Sequence, residues 1–278
     1  MALFWLQVAA VLYAAGSVAV FPAVLYKNER WRSICVHLAG MGFFFHFVSV
    51  VEMLALAHRW MPAGMRETES LLGFLLAALF FLAWWLYDAI SLGIFALPVT
   101  FFLVFVPALG LTSYTFPSQG ARSGWLIAHI AALLAASAAL CLSLIASILY
   151  LAQERRIKQK MKAGESPWRA PLDWLPPLDT IDRIAHTMLL FGFPCMTIGL
   201  LLGAVLVQET PLGAAYFLDP KVIASFAMWC VYVLLLYLRH RTGLRGRKAA
   251  YLSGAVLVAT LVVWVANLVS HVRGFGAP

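Results

Sequence analysis

Long apolar runs, broken by short polar stretches, dominate this 278-residue chain. Eight runs reach the roughly 20 residues that a helix needs to cross a bilayer, near 3–26, 33–57, 70–88, 90–110, 124–151, 184–207, 222–239 and 249–270. They are longer than barrel strands and show no strict alternation, so the predicted fold class is all-α, a polytopic membrane bundle of eight transmembrane helices in one integral-membrane domain. Only Asp88-Ala89-Ile90-Ser91 separates the third run from the fourth, which predicts a helical hairpin. Pro98, Pro107 and Pro194 fall inside runs, where neighbouring helices can satisfy the carbonyls that a proline frees. The chain opens MALFWLQ, with no basic segment ahead of the apolar run, and 3–26 reads as a span rather than a cleaved signal.

Composition agrees: 63% of the residues are hydrophobic and 12% charged, too little polar surface to cover a soluble fold of this size. The net charge of +8 would suggest nucleic acid in a soluble protein, but here it orients the bundle and no nucleic-acid partner is expected. Lys27, Arg30 and Arg32 follow the first run. Arg155, Arg156, Lys158, Lys160, Lys162, Arg169 and Arg183 follow the fifth, and Arg239, Arg241, Arg245, Arg247 and Lys248 the seventh. With eight alternating spans all of these share one side, which is therefore cytoplasmic. Arg59, Arg66, Arg122, Lys221 and Arg273 fall on the other. Both termini are then outside, 152–183 is a cytoplasmic loop and 208–221 an outer loop. AQERRIKQKMK at the start of the cytoplasmic loop reads as a basic extension of the fifth helix touching anionic lipid headgroups, and a proline-rich stretch ends it.

Candidate chemistry is sparse. Cys35, Cys141, Cys195 and Cys230 lie in apolar runs without a CxxC pair and read as small core residues. No P-loop, nucleophile–base pair or metal-ligand cluster emerges, so a hydrolytic enzyme is not expected. Neither inverted repeats nor broken helices suggest a transporter. Ionisable groups inside a bilayer are costly and draw attention by that fact. His129, early in the fifth run, and His271, just past the eighth, come out on the same outer side as the Asp219-Pro220-Lys221 loop. Two histidines from different helices can hold a haem iron between them, and two interfacial histidines can equally bond water or headgroups. His46, at mid-membrane within GFFFHFVSVVE, suits a haem pocket or a packed core alike.

An ordered set of segments carries a resemblance. WLIAHIAALLAASAAL is followed by LPPLDTIDRIAH and GFPCMTIGLLLGAV, then by the DPK loop, Trp229 with CVYVLLLYLRHRTGLRGRKAA, and ANLVSHVRGFG; ETESL opens the third span. The chain resembles the cytochrome c assembly protein family, the haem-handling CcsA/CcmC type and most closely its HemX-like branch. The resemblance implies a multi-pass protein of the bacterial inner (cytoplasmic) membrane that binds b-type haem non-covalently at the outer face. It implies His129 and His271 as axial ligands of the iron. Tyr216, Phe217 and Trp229 would line the haem edge, Asp219 and Lys221 would fix the loop, Lys221 could also meet a propionate, and His46 would be a second, in-membrane site.

The chain departs from the family's tryptophan-rich loop. Leu212, Tyr216, Leu218 and Ala224 stand where the family's tryptophans are expected, and Tyr237 stands at a histidine of the synthase-type members. The expected function is therefore an accessory haem-handling or assembly factor rather than a complete cytochrome c synthase. It would hold haem for delivery to apocytochrome c or for assembly of another membrane complex. The alternative is a structural or regulatory membrane subunit that keeps the fold without haem transfer.

Overall fold

A computed structural model describes residues 1–26, 28–56, 62, 64–110, 124–162, 176–207, 218, 220–241, 251–252 and 254–255. Among them the regular structure is helical, in the order α1 (Ala2–Leu25), α2 (Glu29–Leu56), α3 (Met65–Tyr87), α4 (Gly93–Ala108), α5 (Gly124–Lys162), α6 (Leu178–Val207) and α7 (Pro220–Arg241). Among the described residues seven helices are long and apolar enough to cross a membrane, and the protein is a multi-pass membrane protein. Each lies over one of the first seven predicted runs. The eighth, 249–270, lies almost wholly outside the described residues.

The chain divides into two compact units. The first comprises Met1–Ala121 with Ala152–Ile184, and the second Arg122–Leu151 with Ala185–Pro278.

In the first unit α1 packs on α2 and α4, and α3 on α4. Its helices are apolar on buried and exposed faces alike: Tyr13 and Val20 of α1 are fully enclosed while Val11 and Val18 are exposed. That all-round pattern suits a helix with protein on one side and lipid on the other. Because hydrocarbon offers no polar partner, side chains find backbone acceptors instead. Gln7 donates to the Ala108 carbonyl at 3.1 Å and Ser49 to the Ala2 carbonyl at 2.8 Å.

The predicted hairpin is present. Asp88 ends α3 in the left-handed region (φ 50°, ψ 33°), which an Asp tolerates better than most residues, and a short 3-10 turn, Ile90–Leu92, leads into α4. Beyond the turn α3 and α4 approach closely: a Cβ on Gly73 would lie 3.2 Å from Leu103 and Val104 side-chain atoms. The Asp88 carboxylate pairs with Arg32 at the start of α2.

In the second unit the first part of α5, up to Leu151, packs with α6 and α7 around Ala136, Leu140, Leu189, Met196, Met228, Tyr232 and Leu235. As a whole α5 has 39 residues, about 58 Å at 1.5 Å per residue, nearly twice a bilayer's hydrocarbon core of about 30 Å. Its last turns carry exposed Arg155, Arg156 and Lys158, the last paired with Glu154, as expected of a helix running on past the membrane.

Candidate functional site: His129 on the glycine face of α6

The most developed polar arrangement around a predicted site residue lies in the second unit, where α5 and α6 run antiparallel. Leu140 faces Gly192, Leu133 faces Gly199 and His129 faces Gly203, so equal steps along one helix are matched by equal steps back along the other. Gly192, Gly199 and Gly203, spaced seven and four apart, share one face of α6. The fit is tight: a Cβ on Gly199 would lie 2.6 Å from Leu133 Cδ2, and one on Gly192 3.0 Å from Leu140 Cδ2. Small residues let membrane helices approach until backbone and side chain touch. Deeper in, Ser143 donates across the same interface to the Ala185 carbonyl at 2.7 Å.

This approach brings His129 onto the backbone of α6. The ring is half-buried, and Nδ1 lies 2.6 Å from the Gly199 carbonyl oxygen. A carbonyl only accepts, so Nδ1 carries the hydrogen; in the neutral ring Nε2 then holds the lone pair. An Nδ1–H given to a carbonyl with Nε2 left as the donor atom is one of the arrangements in which protein histidines bind metals. The chemistry of the residue therefore fits an axial haem ligand.

Trp229, about 14 Å along α7 from its first residue Pro220, is also described. Its indole N–H donates to Thr197 Oγ1 at 3.0 Å, and the Thr197 hydroxyl donates to the Phe193 carbonyl at 2.9 Å. Its ring stacks on Phe193, centroids 6.1 Å apart and planes 23° apart. Thr197 precedes Gly199, the partner of His129, by two residues, so Trp229 and His129 meet α6 at neighbouring levels, Trp229 on the side nearer the helix start.

His46 belongs to the first unit and is fully buried. Its Nε2 lies 3.0 Å from Ser70 Oγ, and its ring meets Tyr13 and Phe74 edge-on at 6.0 and 5.5 Å. Nδ1 has no hydrogen-bond partner among the described residues. That is the geometry of a histidine packed in a core.

His271, Tyr216, Phe217 and Asp219 lie outside the described residues. Lys221 is in the first turn of α7, and its side chain lies outside the description. No group of three or more His, Cys, Asp or Glu that could hold a metal ion occurs among the described residues.

Comparison with known proteins supplies the family. The model of the family described as "Cytochrome C assembly protein" matches residues 65–275. The chain belongs to the cytochrome c assembly protein family. The match takes in α3 to α7, with His129 and Trp229, and extends over the 208–221 stretch and His271; His46 precedes it. Individual family members are similar over most of their length. A cytochrome c biogenesis protein CcsA of Guillardia theta is 27% identical over 247 residues, 80% of this chain and 79% of the relative. The protein of that name from Picosynechococcus sp. is 25% identical over 283 residues, covering 80% and 81%, and one from Prochlorococcus marinus 26% over 245 residues, covering 78% of each. No solved structure matches the chain.

Gly199, Gly203 and Thr197 were not among the residues singled out from the sequence. The glycine spacing in GFPCMTIGLLLG was the available signal for the first two.

Proposed function

We propose that this family member is a haem-handling protein of cytochrome c biogenesis, which holds haem at the outer face of the bacterial inner membrane for delivery or for assembly of a partner complex. One observation carries the reading: His129 gives its Nδ1 hydrogen to the Gly199 carbonyl, which leaves the lone pair on Nε2. The relatives' printed role in cytochrome c biogenesis supports it. Bound haem would supply an iron with two axial positions, and His129 and His271 are the ligands proposed for them. Both fall outside under the proposed topology of eight spans with outer termini. Tyr216 and Phe217 would bear on the haem edge and Asp219 would hold the loop. Lys221 would hold it too or meet a propionate, as a cation near a carboxylate does. Trp229 would act by tying α7 to α6 at a level close to that of His129. His46, closed in by Ser70, Tyr13 and Phe74, is read as a core residue rather than a second ligand.

Haem content tests this. Purified in mild detergent and supplied with haemin, the wild type is expected to give a low-spin spectrum and a positive pyridine haemochrome. His129→Ala and His271→Ala should each insert normally and lose that haem. Two variants that bind as the wild type does would refute the ligand pair. The second reading, a membrane subunit without haem, draws on Trp229 being engaged with α6 and on the non-tryptophan residues Leu212, Tyr216 and Leu218 in the outer loop. A featureless wild type that co-purifies with a larger complex would favour it.

A further inference from the structure

We propose that the backbone of α6, through Gly199 and Gly203, is the positioning device that fixes which nitrogen His129 offers and where it points. The proposal rests on the haem-ligand reading above and adds residues to it. Gly199 supplies the acceptor, 2.6 Å from Nδ1. Gly203, one turn further on, supplies the space. A Cβ there would lie 2.8 Å from Cε1, 3.2 Å from Nδ1 and 3.7 Å from Nε2 of His129. The first distance is shorter than real Cβ contacts allow, so a side chain at 203 forces a shift, and the His129 ring is the group it meets. The order of the three also fixes the orientation: the Nδ1–Cε1 edge faces α6, and Nε2 is the nitrogen farther from it.

The acceptor's chemistry matters as much as its position. Metal-binding histidines commonly give their second N–H to a carboxylate or a carbonyl. A helix carbonyl neither titrates nor changes rotamer, so the tautomer is held by the fold itself. A ligand that must meet haem repeatedly, and let it go, is thereby kept oriented when the iron is absent. Orientation before binding removes a cost that the binding step would otherwise bear.

The test compares two glycines of one face. Gly203→Ala places a methyl against the His129 ring. Gly192→Ala crowds α5 in the same way, 3.0 Å from Leu140 Cδ2, but eleven residues or about 16 Å deeper. In haem-free, ¹⁵N-histidine-labelled protein in lipid nanodiscs, the His129 signals are assigned by their disappearance in His129→Gln. The wild type and Gly192→Ala are expected to carry the hydrogen on Nδ1, and Gly203→Ala to lose that preference. In haemin titrations Gly203→Ala should weaken binding by about 10-fold or more, the range typical of a lost outer partner, while Gly192→Ala should not.

A wild-type ring protonated on Nε2 overturns the proposal, and that result needs no variant to fold. So does a Gly203→Ala protein with wild-type tautomer and affinity, or a Gly192→Ala protein altered as much as Gly203→Ala. Haemin binding that His129→Gln leaves unchanged overturns instead the ligand reading. The tautomer measurement separates the two failures, because it involves no haem.

Discussion

The Trp229–Thr197 contact allows a quantitative test of how α7 is held. Removing the indole N–H while keeping an aromatic ring (Trp229→Phe) leaves the Phe193 stack largely in place. It deletes the 3.0 Å bond to Thr197, whose hydroxyl keeps its own acceptor, the Phe193 carbonyl. Thr197→Val removes the same bond from the other side. Side-chain hydrogen bonds between membrane helices average about 0.6 kcal/mol in double-mutant cycles and reach about 1.7. Trp229 is held on two sides by the bond and the stack, so a coupling of about 0.6–1.5 kcal/mol is expected, a factor of about 3–13 in the unfolding equilibrium. The assay is reversible unfolding in mixed micelles of the wild type, both single variants and the double variant, each measured without haem. If the two substitutions are simply additive, the bond does not tie α7 to α6.

The other expectations concern the first unit and the topology. His46→Ala leaves Ser70 Oγ buried without its partner and should cost about 1–3 kcal/mol of stability, while haem content of the purified protein stays at the wild-type level. Loss of haem with unchanged stability would make His46 a ligand after all. In a cysteine-free background, a single cysteine at Lys162 should be shielded from an impermeant maleimide in intact cells, and one at Gln208 should react. The reverse pattern would invert the proposed orientation.

Much of the fold could be read directly because a bilayer imposes a length on each apolar run and leaves its ends polar. The starts and stops of α1 and α4 follow from that constraint alone, as does the hairpin at Asp88. The polar extension of α5 was legible for another reason: AQERRIKQKMK is polar yet has no helix-breaking residue. The site was legible only in part. His129 stood out as an ionisable group in a span, but its hydrogen-bond partner is a backbone carbonyl seventy residues away. Only the register of two antiparallel helices brings that carbonyl to the ring, and a carbonyl has no residue type to be recognised by. Trp229 stood out by its place after the 208–221 stretch, but its partner Thr197 did not, because only the packing of α7 on α6 brings the two together.

The central claim is that His129 offers Nε2 to a haem iron, and an axial ligand swap tests it most directly. His129→Met puts a thioether where the imidazole stood, and histidine–methionine and bis-histidine haems differ in spectrum and potential. The account predicts that haemin-loaded wild type shows the signature of two histidines. His129→Met should show a histidine–methionine signature with a raised reduction potential. A His129→Met protein whose haem spectrum and potential match the wild type would contradict it.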